Sequence, residues 1–121
     1  MQTLAVGGRT VTVSSFAGLD DDALAVVALG VERAVERYAR CRAVDEMPVR
    51  ARHVRIAVRG HLRAGLGRYD TAHDVIELDA GTLAAGDHET LEHELADHRL
   101  PYLAGDSRWA SYGHRRRSIC A

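Results

Sequence analysis

The sequence predicts a single α+β domain, in which a long N-terminal helix packs on a short mixed sheet and a second helix follows. Three observations support this prediction: one long segment with apolar residues spaced by three and four, two segments in which apolar and polar residues alternate, and a second helical pattern late in the chain. The 121 residues fit one domain, which would bury roughly two thirds of the surface that the unfolded chain exposes. Hydrophobic residues make up 46% and charged residues 27%, a globular balance that argues against general disorder.

The strongest element is a helix predicted from Asp20 to about Val44. The run Asp20-Asp21-Asp22 supplies an N-cap and an acidic first turn, which suit the positive end of the helix dipole. Gly30 lowers the intrinsic stability of this helix by up to about 1 kcal/mol. Its apolar stripe consists of Leu24, Val27, Val31, Ala34, Tyr38 and Cys41. The helix is therefore predicted to be scaffold.

Strands are predicted on both sides of this helix. The Gly7-Gly8 pair, followed by Val11 and Val13 alternating with polar residues, predicts a strand or hairpin at the start of the chain. After a break at Met47-Pro48, residues 53–59 alternate, with the apolar side chains facing inward. Residues 74–79 predict another strand. The intervening loop is predicted from its glycines, Gly60, Gly65 and Gly67.

The second helix is predicted to begin near Asp87 and to end at Leu100-Pro101. It carries the sequence His93-Glu94-Leu95-Ala96-Asp97. In H-E-x-x-H helices, two zinc ligands lie one turn apart on one face, and the Glu beside the first ligand polarises the metal-bound water. Here His93 and Asp97 occupy the two ligand positions, and Glu94 occupies that of the base. The same side chains would also be found on a solvated polar face that binds nothing.

The surroundings of this motif also follow a known order. A glycine turn at Gly67-Arg68-Tyr69 precedes a short strand at Val75–Leu78, and a helix with Thr90-Leu91-Glu92-His93-Glu94-Leu95-Ala96 follows. Over roughly residues 53 to 98, this order resembles the core of zincin-like metallopeptidases of the minimal Spartan/SprT-like type. The resemblance implies a small zincin-like domain in which His93 binds zinc, Glu94 is the general base and Val75–Leu78 flank the substrate groove.

The resemblance departs from the family at the second ligand. The family's second histidine falls on Asp97, and a histidine follows one residue later, at His98. A third ligand lies further along the chain in this family, and Asp106 and His114 are the candidates. Because one ligand is replaced, the sequence favours a degenerate domain that serves as a structural or interaction module, for example within a viral particle. The alternative is a zinc-dependent metallopeptidase in which Glu94 acts as general base.

Charge and composition limit the classes of partner that the sequence predicts. The formal net charge of -1 argues against nucleic acid and anionic membranes as partners. The interaction module and the metallopeptidase would each have a protein or peptide as partner. A flexible basic tail is predicted over about residues 114–121, where Arg115–Arg117 would attract phosphate only weakly. Cys41 and Cys120 have neither zinc-knuckle spacing nor a base partner in the sequence. No signal peptide or membrane-spanning run is found, which predicts a cytoplasmic protein or a virion component.

Overall fold

The computed structural model describes residues 1–40, 47–63 and 65–105. The strands are β1 (Gln2–Val6), β2 (Arg9–Ser14), β3 (His53–Arg59), β4 (Gly67–Asp70) and β5 (Val75–Asp79). The helices are α1 (Asp21–Ala39), α2 (Ala80–Ala84), α3 (Glu89–His93) and α4 (Leu100–Leu103). A 3₁₀ turn, Val49–Arg52, precedes β3, and a π-helical segment, Glu94–Arg99, joins α3 to α4. The α+β class is confirmed. The predicted tail, both cysteines and the end of the first helix beyond Arg40 lie outside the described residues.

The five strands form one mixed sheet in the order β1-β2-β3-β5-β4. The predicted hairpin at Gly7-Gly8 is confirmed, because β1 and β2 pair antiparallel. Both glycines have positive φ, 55° and 77°, as a two-residue turn of this kind requires. β2, β3 and β5 run parallel, and β4 pairs antiparallel with β5. Within the part of the chain that the structure describes, β4 is therefore an edge strand that pairs on one side only.

The register predicted for β3 is confirmed. Val54, Ile56 and Val58 are buried, whereas Arg55 and Arg59 are exposed. The same core takes in Val27, Val31, Ala34 and Tyr38 of the predicted stripe of α1. Leu24 is half-buried and is not part of this core, so its place in the prediction is wrong, and Cys41 lies outside the described residues. Asp20 is the N-cap, and its Oδ1 accepts a hydrogen bond from the Ala23 N–H at 2.8 Å. Among the described residues, no helix is both long enough and apolar enough to cross a membrane.

Gly30, which is predicted to weaken the first helix, and Gly67, which is predicted to lie in a loop, both lie at points of close packing. A Cβ on Gly30 would lie 2.9 Å from Cδ2 of Leu91, so the glycine lets α1 approach α3. A Cβ on Gly67 would lie 2.8 Å from Cγ2 of Thr90, so this glycine brings β4 against α3. The prediction of a loop at Gly67 is therefore wrong. A four-residue strand led by glycine carries little local signal and depends on its ladder with β5.

The prediction that the second helix ends at Leu100-Pro101 is also wrong. The chain remains helical to Leu103, because the π segment widens the turn before the proline. The Leu100 N–H bonds the carbonyl of Leu95, five residues back instead of four. Pro101 then lies at the start of α4, directly after the π segment.

Candidate metal site

The π segment brings two histidines of the second helix together. In a regular α-helix, residues five apart point about 140° away from each other around the axis. In the π register the hydrogen bonds run between residues five apart, which places such residues on one face. His93 and His98 accordingly meet, with Nε2 of one ring 3.1 Å from Nε2 of the other. Their planes are inclined by 80°.

Glu94 completes a cluster with the two histidines. Each of the three side chains offers one potential ligand atom, and these atoms lie within 4.8 Å of one another. Oε1 of Glu94 is 3.9 Å from Nε2 of His98. Glu94 is only 6% exposed, and its Oε2 is buried without a hydrogen-bond partner among the described residues. A buried carboxylate oxygen without a hydrogen bond lowers the stability of the folded protein, which indicates that it has a functional role.

Asp97 lies on the other side of the His93 ring. Its Oδ2 is 2.8 Å from Nδ1 of His93 and 3.0 Å from Nη2 of Arg37 on α1. Asp97 is 2% exposed, whereas the His93 side chain is 42% exposed. The sequence assigned the second ligand position to Asp97. The structure instead places His98 beside Nε2 of His93, and Asp97 against Nδ1.

The surroundings shift the proton affinity of the first two cluster residues. The pKa of His93 is raised, mainly because Asp97 accepts a hydrogen bond from its ring, while partial burial acts in the opposite direction. The pKa of the Glu94 carboxyl is also raised, because burial disfavours its charged form, although the nearby His93 opposes this. A carboxyl with a raised pKa is a better proton acceptor than an ordinary glutamate.

An open groove of about 470 Å³ lies beside the cluster. Its lining consists of Leu66, Gly67, Asp87, Glu89, Thr90, His93 and Glu94. The sheet side of the groove comes from the start of β4. The resemblance had given that place to Val75–Leu78, but β5 lies between β3 and β4 and is not in the lining. The expectation that β5 flanks the groove is therefore corrected to β4.

A buried arginine ties β4 and β5 to the π segment. Arg99 is 1% exposed, and its Nε donates to Oδ1 of Asp74 at 2.8 Å. Its Nη2 donates to the carbonyl of His53 at 2.6 Å. Asp74, at a positive φ of 52°, also accepts a hydrogen bond from the Tyr69 hydroxyl at 2.8 Å. Burial alone would raise the pKa of Asp74, but the bonds from Arg99 and Tyr69 outweigh it and lower that pKa.

Sequence reasoning did not single out Arg37 or Arg99. Arg37 is not part of the predicted apolar stripe of the first helix, and Arg99 directly precedes the predicted end of the second. Neither had a local signal, since their partners lie 60 and 25 residues away in the chain. Asp106 and His114, the candidates for a third ligand, lie outside the described residues. A scan against models of protein families, a search of curated proteins and a search of solved structures all find no match.

Proposed function

We propose that this protein is a zinc-dependent hydrolase of peptide bonds, with a zincin-like site in which the motif is one residue longer than usual. The segment His93-Glu94-Leu95-Ala96-Asp97-His98 is H-E-x-x-x-H, and the π turn gives its histidines the proximity that H-E-x-x-H has in an α-helix. The observation that carries the proposal is the 3.1 Å separation of the two Nε2 atoms.

The donor set fits zinc in chemistry and in spacing. Two nitrogens bound to one tetrahedral ion at about 2.05 Å lie about 3.3 Å apart, close to the observed separation. A hydrogen bond between two neutral imidazoles would give a similar distance. Such a bond, however, does not account for the buried and unpartnered Oε2 of Glu94 beside the rings. His93 and His98 would be the ligands.

The residues around the cluster have separate roles in this proposal. Zinc, when bound, supplies a Lewis acid that lowers the pKa of water toward neutrality. Glu94 lies in the groove wall with a raised pKa, so it can take a proton from water and pass it to the leaving amine. Among the described residues β4 pairs only with β5, so its other side offers backbone groups to an extended peptide, and peptides are the proposed substrate class. The third protein ligand is proposed to be Asp106 or His114.

The second candidate is the degenerate module that the sequence favours, a structural or interaction domain for a protein partner, for example in a viral particle. One observation supports it. The hydrogen bonds from Arg37 through Asp97 and His93 to His98 form a connected set without a metal. Under this alternative the π turn is an ordinary packing feature, and neither zinc nor hydrolysis is expected.

The test is elemental analysis of untagged protein purified without added metal. We expect about one zinc per chain, and we expect His93→Ala and His98→Ala each to lose it. Glu94→Gln should keep zinc but lose hydrolysis of a denatured protein substrate, because the base is not a ligand. His88→Ala is the matched control, since His88 lies next to the same helix but outside the cluster. Absence of zinc from the wild type, with no stabilisation on zinc addition, would favour the module.

A further inference from the structure

We infer that Arg37 and Asp97 form a positioning pair that holds His93 in the tautomer whose Nδ1 carries the proton and whose Nε2 lone pair is directed toward His98. The pair acts on the site through His93 and is not itself a ligand or a base. The inference rests on the proposed metal site for its consequence, but the tautomer itself can be measured without metal.

The first step is the environment of the Asp97 carboxylate. At 2% exposure it has little access to water, and an ionised carboxylate there needs a cationic partner. Nη2 of Arg37 supplies it at 3.0 Å, from a side chain that is only 16% exposed. Arginine keeps its charge at any pH that the protein meets, so the partner is permanent.

The second step is that the Arg37 guanidinium group is held in place. Arg37 lies on α1 next to Tyr38, which is fully buried, so its backbone is fixed by the core. The same guanidinium group lies 3.4 Å from the carbonyl of Glu92, and its Nε is 3.7 Å from the carboxylate of that residue. Arg37 therefore touches the turn just before His93 as well as Asp97. It links the scaffold helix to both sides of the histidine.

The third step is the proton on His93. An ionised carboxylate only accepts hydrogen bonds, so a 2.8 Å contact with Nδ1 requires the proton to be on Nδ1. In the neutral ring the lone pair is then on Nε2, the atom that faces His98. Carboxylates that accept from the distal N–H of a metal-binding histidine fix its orientation and raise its basicity.

The motif is one residue longer than H-E-x-x-H, and this extra residue makes room for Asp97 beside His93. In H-E-x-x-H the position four residues after the first histidine is itself a ligand. Here the π turn moves the second imidazole to position five, and position four is left to Asp97. The π turn thus lets one residue act as the second ligand and another orient the first histidine. The shorter motif has only the fourth position for both.

The test uses the full chain with Arg37→Gln, Asp97→Asn and the double variant. Arg33→Gln, an exposed arginine on the same helix, is the control, and Arg37→Lys is the conservative rescue. Histidine nitrogen NMR of the metal-free protein, at a pH where the rings are neutral, reports the tautomer. We expect a single Nδ1–H form for His93 in the wild type and a mixture in the Gln and Asn variants.

Zinc affinity, measured by competition with a chromophoric chelator, is the second readout. Each single variant should weaken zinc binding by about 10- to 100-fold. The double variant should be no weaker than Asp97→Asn alone, because both changes act through one hydrogen bond. Arg37→Lys should recover part of the loss, and Arg33→Gln should bind as the wild type does. Circular dichroism spectra identify any variant that has unfolded.

Failure of this inference is distinct from failure of the proposed function. An Nε2–H tautomer in the wild type, or an unchanged tautomer and affinity in folded Arg37→Gln and Asp97→Asn, would overturn the positioning role. Lack of zinc binding in the wild type, with the Nδ1–H form present and lost in the variants, would refute the metal site and leave the positioning pair supported.

Discussion

The buried carboxylate of Glu94 should destabilise the metal-free protein, and Glu94→Gln should relieve most of that effect. The side chain is 6% exposed, and its Oε2 has no hydrogen-bond partner among the described residues. Burial raises its pKa above the ordinary value. For a carboxyl whose pKa is higher in the folded protein than in the unfolded one, folding loses stability as the pH rises between the two values. The destabilisation is therefore larger at pH 8 than at pH 4.5.

The size of the expected destabilisation follows from the burial of Oε2 of Glu94 without a hydrogen bond. A buried polar group without a partner costs about 1–3 kcal/mol, and a charged one more. Glutamine has nearly the same shape and no charge, but it keeps a polar amide in the same place, so part of the cost remains. We therefore expect a gain of about 1–2 kcal/mol at pH 8. For a chain of this length this is a rise of about 4–8 °C in Tm.

The assay is thermal or urea denaturation of chelator-treated protein at pH 8 and pH 4.5. Glu89→Gln is the control, since Glu89 is exposed at the start of α3 and should change stability by less than about 0.5 kcal/mol. A Glu94→Gln variant that is no more stable than the wild type at pH 8 would refute the reasoning. An equal gain at both pH values would also refute it, because a charge effect must vanish when the carboxyl is protonated.

Three further changes test other parts of the structure. Asp97→His, which creates the sequence H-E-x-x-H, should weaken zinc binding because it removes the carboxylate beside Nδ1 of His93. Competition with a chromophoric chelator measures the change. Asp74→Asn should cost about 2 kcal/mol at pH 7 by leaving Arg99 buried without its anion. Because the pKa of Asp74 is lowered, this stability is lost as the pH falls through it, so urea titrations should converge below about pH 4. Gly30→Ala should destabilise by about 1 kcal/mol in urea, since its Cβ would lie 2.9 Å from a side chain of α3, which outweighs the gain in helix propensity.

The elements with a strong local pattern were predictable. The apolar stripe of α1 and the alternation in β3 each select one buried face, so sequence spacing alone locates them. β4 was not predictable, because four residues led by Gly67 form a strand only through pairing with β5. The continuation of the helix through Pro101 also escaped prediction, since it depends on a change of hydrogen-bond register one turn earlier.

The sequence by itself determined which side chains the candidate site can draw on: His93, Glu94 and His98 lie within six residues. Only the tertiary structure decided whether Asp97 or His98 faces Nε2 of His93. That choice depends on the helix being π or α between residues 94 and 99, and both registers are open to the same six residues. Contacts from distant segments hold the wider turn, with Arg37 bound to Asp97 on one side and Asp74 bound to Arg99 on the other. Helix register is a local property, but the side chains of this turn bond to residues 25 to 60 positions away, which no local pattern in the sequence reveals.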